Sequence, residues 1–325
     1  MMPGDVRTVR GFKDLWASMT GGAPPARAVP LRPLLDTLGL GLEQVMTQLA
    51  GRPTFDAFAD WAQATASNGD DAAIARYTAW YDGADPPRAE RARQAAVMAQ
   101  DPVFSADDLA AWDRDGVVVL RQAITADEAA AIADHLWAVQ DAVPDDPATW
   151  YRRRENGIMI QRFQHPAMDV PRRAPRIHRA FAELYGHADL IASTDRMSFN
   201  PPVSATYHFP GPHPHWDANL APPMAFETQG ILYLTDTAAD QGALRVVPGF
   251  HHRLAAGWLD TLEGRDPRGI DLSDQAVPIA AGAGDLVIWR QELPHGASPN
   301  TAAVPRLAQY LTLYPMRWPD ERPWL

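Results

Sequence analysis

The residues best suited to chemistry are His215 and Asp217, in the segment HPHWD, and His295 much later in the chain. In an extended strand, residues i and i+2 point to the same face and lie roughly 6 to 7 Å apart. The side chains of His215 and Asp217 can therefore converge on one ion. By itself an H-x-D pair is a weak signal, because it often occurs by chance in surface turns.

The surroundings of His295 strengthen this signal. A Gly-Ala-Gly turn at 282–284 leads into the apolar segment 285–289, and His295 follows just past its end. Two histidines, one carboxylate and open coordination positions are the ligand set that suits Fe(II) and O₂ chemistry. Arg306 opens the last predicted strand, and its forked guanidinium can grip a carboxylate of a diacid.

Short segments of β-type sequence are predicted to position these residues. Separated by Pro and Gly, they occupy residues 158–163, 198–199, 206–209, 230–235, 243–247, 285–289 and 307–314. Such a series favours an antiparallel sandwich or barrel. Before it, the sequence predicts a buried strand at 116–120 and a helix from about Thr125 to Gln140, with acidic residues in its first turn.

The first hundred residues have a different pattern, with apolar residues at helical spacing broken by Pro and Gly. Leucines from Leu34 to Leu49 follow this spacing, interrupted at Gly39 and Gly41, and Thr54 is a predicted N-cap. We interpret the aromatic stripes here as core or interface and assign them no chemistry. The predicted division is a helical N-terminal extension of residues 1–103 and a β-rich domain of residues 104–325.

Composition excludes several kinds of site and partner. The chain of 325 residues has no cysteine, which excludes disulfides, thiolate zinc sites, iron–sulfur clusters and a cysteine nucleophile. Its formal net charge is -11, and its basic clusters, 152–154 and 172–173, are short. We therefore expect a small-molecule substrate and no nucleic-acid partner.

The sequence also favours a cytoplasmic location without membrane association. It contains no long uncharged apolar run, and the N-terminus lacks the apolar region of a secretory signal. The helical residues 1–103 are a candidate surface for homo-oligomer formation.

Several motifs together resemble the phytanoyl-CoA dioxygenase family of iron(II)/2-oxoglutarate-dependent oxygenases, over about residues 104–316. They are WDRDGVVVL at 112–120, His215-Trp216-Asp217, GALRVVPGFH at 242–251, and Gly284-Asp285-Leu286 leading to His295 and Arg306. The resemblance implies a double-stranded β-helix, the cupin-like jelly roll, with the metal near one mouth of the barrel. It also implies hydroxylation of a small molecule, using Fe(II), 2-oxoglutarate and O₂ and releasing succinate and CO₂.

The resemblance further implies roles for individual residues. His215, Asp217 and His295 are expected to hold the iron, and Arg306 to pair with the far carboxylate of 2-oxoglutarate. Thr194 and Ser198 are expected on one early core strand, where they help to hold 2-oxoglutarate. Because similar halogenases replace the metal-binding carboxylate with a small residue, Asp217 favours oxidation over halogenation.

Polar residues near the motifs are candidates for contact with the substrate, namely Gln161, Asn219, Arg290 and Gln291. His213 is the main rival as a metal ligand, but the prolines beside it disturb a strand, and we place it behind the ligands or at the rim. Phe250 departs from the family, which has Ser in this Pro-Gly turn, and we interpret the turn as structural.

Two alternative functions remain open. One is a cupin-type barrel that binds Zn or Fe but not 2-oxoglutarate, such as an isomerase or hydrolase, in which Arg306 faces solvent. The other is a non-catalytic binding module on a degenerate barrel. The sequence does not identify the substrate, because the resembled family accepts acyl-CoA thioesters, amino acids, osmolytes and secondary metabolites.

Overall fold

The computed structural model describes residues 4–22, 25, 27–66, 71–152, 157–211 and 213–325. Two compact units are present. Unit 1 comprises residues 1–102, 161–196 and 313–321, and unit 2 comprises residues 103–160, 197–312 and 322–325. Arg153 and Arg154, in one of the basic clusters of the sequence, lie outside the described residues.

Helices and strands are mixed along the chain. The helices are α1 (Phe12–Thr20), α2 (Leu31–Leu38), α3 (Leu42–Ala50), α4 (Phe55–Thr65), α5 (Asp71–Tyr81), α6 (Arg88–Met98), α7 (Ala106–Asp115), α8 (Ala126–Gln140), α9 (Pro166–Arg173), α10 (Pro175–Tyr185) and α11 (Phe250–Ala255). The strands are β1 (Val117–Leu120), β2 (Met159–Ile160), β3 (Ile191–Ala192), β4 (Met197–Asn200), β5 (Thr228–Tyr233), β6 (Leu244–Val246), β7 (Val277–Pro278), β8 (Leu286–Arg290), β9 (His295–Ala297), β10 (Arg306–Tyr310) and β11 (Leu313–Tyr314).

Unit 1 is mainly helical, and its helix ends follow the sequence. Gly39 has a φ of 67° and ends α2, so the leucine pattern makes two helices rather than one. The Thr54 hydroxyl accepts a hydrogen bond from the Ala57 amide at 3.3 Å, which confirms the predicted N-cap of α4.

Aromatic side chains fill the core of unit 1. The rings of Phe12 and Phe58 stack with their centroids 4.9 Å apart, and Tyr77 is fully buried in the same core cluster. The aromatic stripes of the sequence are therefore core, as predicted. Burial of each such side chain stabilises the folded state by about 1.5–3 kcal/mol.

A six-stranded antiparallel sheet is the main element of unit 2. Its strand order is β1-β8-β5-β10-β4-β2. β1 and α8 lie where the sequence predicts them, with Thr125 as the N-cap of α8. β5 and β8 are central and run side by side, with Gln229 directly opposite Trp289.

A second antiparallel sheet, of order β7-β6-β9, completes the β structure of unit 2. Side chains of both sheets enter one hydrophobic core, among them Ile231 and Val287 from the first sheet and Leu244 and Val246 from the second. The prediction of antiparallel sheets packed around a common core is confirmed at this level.

Two predicted strands differ from the structure. Residues 206–209 form no strand, because Tyr207 pairs with Ser204 in an isolated bridge and Pro210 follows. The predicted strand 307–314 is broken at Leu311 and Thr312. β10 therefore joins the large sheet of unit 2, whereas β11 pairs with β3 in unit 1.

The compact units do not coincide with the predicted boundary at residue 103, and the division into two domains stays a prediction. Residues 161–196 and 313–321 belong to unit 1, although the sequence places them in the β-rich domain. Within unit 1, α10 packs against α6, and Val97, Ala182 and Ala188 form a small buried cluster. Contacts between segments this far apart in the chain leave no periodic signal in the sequence.

Among the helices that the structure describes, none combines the length and the apolar character needed to span a bilayer.

Candidate metal centre

His215, Asp217 and His295 lie together in unit 2. One potential ligand atom from each falls within 4.8 Å of the others. Nε2 of His295 is 3.2 Å from Oδ2 of Asp217, and Nε2 of His215 is 3.4 Å from Oδ1. Both imidazoles thus turn the same nitrogen towards a single carboxylate.

Backbone pairing, rather than a regular strand, brings the two histidines together. The His215 amide donates to the His295 carbonyl at 2.9 Å, and the His295 amide donates back at 3.0 Å. His295 begins β9, so the H-x-D segment extends the edge of the three-stranded sheet. This bridge brings together two residues that are 80 positions apart in the chain.

The other ring nitrogen of each histidine faces a backbone carbonyl. Nδ1 of His215 is 3.1 Å from the carbonyl oxygen of His213, and Nδ1 of His295 is 3.1 Å from that of Leu293. Because a carbonyl only accepts, each Nδ1 carries a proton, and Nε2 is the ring nitrogen that faces Asp217. When a metal ion displaces the proton between Nε2 and Asp217, both rings are therefore in the tautomer that binds the metal through Nε2.

The carboxyl of Asp217 is strongly favoured as the anion. Burial alone opposes its ionisation, but hydrogen bonds from the imidazoles of His215 and His295 hold its pKa far below the usual range. The same contact with Asp217 raises the pKa of His215, although burial acts against it. Asp217 thus offers a negative charge at any physiological pH.

Gln229 and Trp289, which the sequence analysis missed, adjoin this group. Nε2 of Gln229 donates to Oδ2 of Asp217 at 2.9 Å, and the indole of Trp289 donates to Oε1 of Gln229 at 3.1 Å. Gln229 shares the strand face of Ile231 and Tyr233, which are core residues. A polar residue on an otherwise apolar strand face is the signal that could have identified it.

Arg268 holds the backbone on both sides of Asp217 and was also missed. Its guanidinium donates to the carbonyls of Trp216 and Ala218, each at 2.7 Å. Arg268 lies in a short 3₁₀ turn, Pro267–Gly269, and the sequence of this turn contains no metal-binding motif. These charge-assisted bonds fix the direction in which the Asp217 side chain leaves the chain.

Arg306 opens β10, as predicted, and its side chain is fully buried. Nε donates to the carbonyl of Gly242 at 3.1 Å, while Nη1 and Nη2 have no hydrogen-bond partner among the described residues. Gly242 has a φ of 66°, and a side chain there would meet the amide of Asn200, so the turn requires glycine. A buried guanidinium with two unsatisfied ends favours an anionic ligand.

Thr194 and Ser198 are not on one strand, contrary to the expectation. β4 begins at Met197, so Thr194 precedes it, and the two residues belong to different units. The Thr194 amide donates to Oδ1 of Asp36 at 2.5 Å, and the Ser198 hydroxyl donates to the carbonyl of Ile158 at 3.0 Å. Their predicted contact with 2-oxoglutarate stays a prediction.

The candidates for substrate contact are dispersed. Gln161 lies just beyond β2 in unit 1, and Asn219 hydrogen-bonds the backbone of Pro323 and Leu325. Arg290 pairs with Glu292 at 2.8 Å, and Gln291 donates to the carbonyl of Ala225. Their role in substrate binding stays a prediction.

The rival ligand His213 does not join the group. Its side chain is 75% exposed and lies 3.3 Å from the hydroxyl of Ser273. Its contribution to the site is the backbone carbonyl that meets His215.

Comparisons with known proteins agree on one family. Residues 112–308 match the family described as phytanoyl-CoA dioxygenase (PhyH). A curated protein of Dictyostelium discoideum, named "Putative phytanoyl-CoA dioxygenase", is 21% identical over 261 residues, covering 63% of this chain and 74% of that protein.

Three solved structures illustrate the similar proteins. EctD from S. alaskensis with bound Fe is 21% identical with a TM-score of 0.46, over 70% of this chain and 84% of that chain. EvdO2 from Micromonospora carbonacea var. aurantiaca, complexed with 2-oxoglutarate, is 20% identical with a TM-score of 0.46, over 70% and 99%. The non-haem α-ketoglutarate-dependent carbocyclase SnoK from nogalamycin biosynthesis is 19% identical with a TM-score of 0.45, over 66% and 87%. At these TM-scores the likenesses support no statement about this chain.

Proposed function

The chain belongs to the phytanoyl-CoA dioxygenase family, and from this membership we propose that it is a non-haem Fe(II)/2-oxoglutarate-dependent oxygenase that hydroxylates a small molecule. The single observation that carries the proposal is the convergence of His215, Asp217 and His295. In this proposal they hold Fe(II), and the two sheets of unit 2 form a double-stranded β-helix around them.

The donor set fits iron. Two neutral imidazoles and one carboxylate suit Fe(II) and leave coordination positions for a co-substrate and O₂. A structural zinc site is closed by four protein ligands, whereas the described residues of this group supply three. The arrangement therefore suits a catalytic metal.

Arg306 fits the second requirement, a grip on a dicarboxylate. Its Nη1 and Nη2 are buried and unpaired in the described structure, and a carboxylate that accepts from both satisfies them together. We propose that Arg306 binds the carboxylate of 2-oxoglutarate farthest from the metal. This assignment opposes the alternative of a cupin-type isomerase or hydrolase, in which Arg306 faces solvent.

The chemistry divides between the iron and the protein. When bound, iron supplies the oxidation, in which O₂ and 2-oxoglutarate yield succinate and CO₂ and oxygen is inserted into the substrate. His215 and His295 would hold the metal through Nε2, Asp217 would offset its charge, and Arg306 would orient the co-substrate. Trp289, 2% exposed, packs beside His295 and excludes water from that side.

The finer features of the proposal rest on the family and on composition. We propose a small-molecule substrate, a cytoplasmic location and no nucleic-acid or membrane partner, with self-association through the N-terminal helices. The prime substrate determines whether the reaction is hydroxylation or another oxidation. It also determines the role of residues 1–103.

Succinate formation tests the proposal. With Fe(II), 2-oxoglutarate, O₂ and ascorbate as the reductant in place of a prime substrate, the purified chain is expected to form succinate, and Asp217→Ala to form none. His213→Ala is the matched control, because it removes an exposed imidazole of the same segment but keeps the carbonyl that meets His215. Equal succinate formation by wild type and Asp217→Ala contradicts the proposal. A chain that binds metal but never consumes 2-oxoglutarate favours the isomerase or hydrolase.

A further inference from the structure

Gln229 is fixed at both ends of its side-chain amide. It lies on β5 directly opposite Trp289 on β8, and side chains of such a cross-strand pair project from the same face. The indole Nε1–H of Trp289 donates to Oε1 of Gln229, and Nε2 of Gln229 donates to Oδ2 of Asp217. The three side chains form one continuous hydrogen-bond chain.

The direction of this hydrogen-bond chain is set by chemistry. An indole N–H can only donate, so it must meet the oxygen of the amide. The NH₂ of Gln229 must then face Asp217, whose ionised carboxylate can only accept. The hydrogen bond from Trp289 therefore fixes the direction of the hydrogen bond to Asp217. Exchanging the oxygen and nitrogen of the Gln229 amide would break both bonds.

Asp217 needs such support more than the histidines do. Its side chain is 54% exposed, whereas that of His295 is 6% exposed. An exposed carboxylate is free to rotate about its terminal torsion. The hydrogen bond from Gln229 to Oδ2 opposes this rotation and leaves Oδ1, beside Nε2 of His215, without a contact to the amide.

Trp289 connects the support to a second ligand. Its ring is 2% exposed and lies with its centroid 5.1 Å from that of His295. One rigid indole thus packs against the imidazole of His295 and, through Gln229, holds the carboxylate of Asp217. Trp289 therefore supports both of these ligands from one strand of the large sheet, β8.

We propose that Gln229 is a positioning residue of the metal site, which, held by Trp289, fixes the carboxylate of Asp217 in the orientation that binds the ion. The inference rests on the metal-binding part of the proposed function. Hydrogen bonds that orient metal ligands typically change metal affinity by about 10- to 100-fold when removed. Gln229 itself does not contact the metal in this arrangement.

Metal binding without turnover tests this role. Anaerobic titration with Co(II) alone gives the affinity, and the visible absorption bands of the bound Co(II) report its ligand geometry. Gln229→Leu, which keeps the approximate size of the side chain, is expected to weaken Co(II) binding by about 10- to 100-fold and to alter the bands. Gln241→Leu is the matched control, because Gln241 is a buried glutamine of unit 2 whose Nε2 donates to the Pro305 carbonyl. We expect its Co(II) affinity to stay within about twofold of wild type.

A double-mutant cycle separates positioning from general loss of packing. Trp289→Phe keeps an aromatic ring beside His295 but removes the indole donor, so we expect a smaller loss of affinity than for Gln229→Leu. In the Gln229→Leu background, Trp289→Phe should weaken Co(II) binding almost no further, because the amide oxygen that accepts from the indole is already absent. Additive losses, or a Gln229→Leu variant with wild-type affinity and bands, overturn the inference. A wild-type chain that binds no Co(II) overturns the proposed function together with it.

Discussion

Arg306 shows most directly how one side chain can set the affinity for a co-substrate. Lysine keeps the positive charge but not the planar fork that satisfies a carboxylate through two parallel bonds. Arg306→Lys is therefore expected to raise the dissociation constant for 2-oxoglutarate by about 10- to 100-fold, or about 1.4–2.8 kcal/mol. Titration of the metal-loaded protein measures this change.

Arg121→Lys is the control for Arg306→Lys, because Arg121 forms a local ion pair with Asp285 in the same unit. Co(II) affinity should stay near wild type in both variants. An unchanged affinity for 2-oxoglutarate in Arg306→Lys would remove Arg306 from the proposed binding site.

Arg268 provides a second prediction for a single residue. Its two hydrogen bonds to the carbonyls of Trp216 and Ala218 are charge-assisted, a class worth about 1.5–3 kcal/mol each. Arg268→Ala should lower the free energy of unfolding by about 2 kcal/mol or more, and also weaken Co(II) binding because the H-x-D backbone is released. Urea unfolding and Co(II) titration measure the two effects. Loss of stability with unchanged Co(II) affinity would show that Arg268 supports the fold alone.

Among the individual residues, the sequence predicted the three candidate metal ligands but missed the two residues that orient Asp217. His215, Asp217 and His295 could be found because metal ligands are chemically rare and their spacing is restricted. Gln229 and Arg268 could not, since their partners lie on other elements and a hydrogen bond across strands leaves no motif. Thr194 was misplaced because the start of β4 depends on pairing with β10, which sequence spacing does not reveal.

Among the elements, helices were predicted more closely than strands. Thr54 and Thr125 cap their helices through a hydroxyl contact within three residues, which is local information. The strands depend on distant partners instead. Residues 206–209 have the composition of a strand but find no neighbouring strand to complete a ladder, so they stay in a loop.

Asp36 in α2 makes the stability of unit 1 sensitive to pH. It accepts hydrogen bonds from the Thr194 amide and the Tyr314 hydroxyl, but burial raises the pKa of its carboxyl from 3.8 to about 6. A raised pKa means that the folded state binds the proton more tightly than the unfolded state. The stability from this proton is complete below about pH 4 and is lost as the pH rises through about 6.

Asp36→Asn tests this dependence, because asparagine does not titrate. Relative to the variant, the wild type should lose at most about 3 kcal/mol of unfolding free energy between pH 4 and pH 7. Urea unfolding at both pH values measures the difference, with Asp189→Asn as a more exposed control in unit 1. A difference between wild type and Asp36→Asn that is constant with pH contradicts the raised pKa.

For the whole molecule, the sequence predicted two domains but did not reveal which segments of the chain form each compact unit. Unit 1 takes two later segments, 161–196 and 313–321, because their apolar faces are buried against helices from the first hundred residues. The proposed metal site is contained in unit 2, where His215, Asp217, His295, Arg306 and Gln229 all lie. The chemistry proposed for the chain therefore needs only one unit to supply the metal ligands and the arginine.

Anaerobic addition of Fe(II) and then 2-oxoglutarate to the purified chain tests this account most directly. We predict that one Fe(II) binds per chain, and that 2-oxoglutarate then produces a visible charge-transfer band, which is absent from His295→Ala. A wild-type chain that binds no Fe(II), or an equal band in His295→Ala, would contradict it.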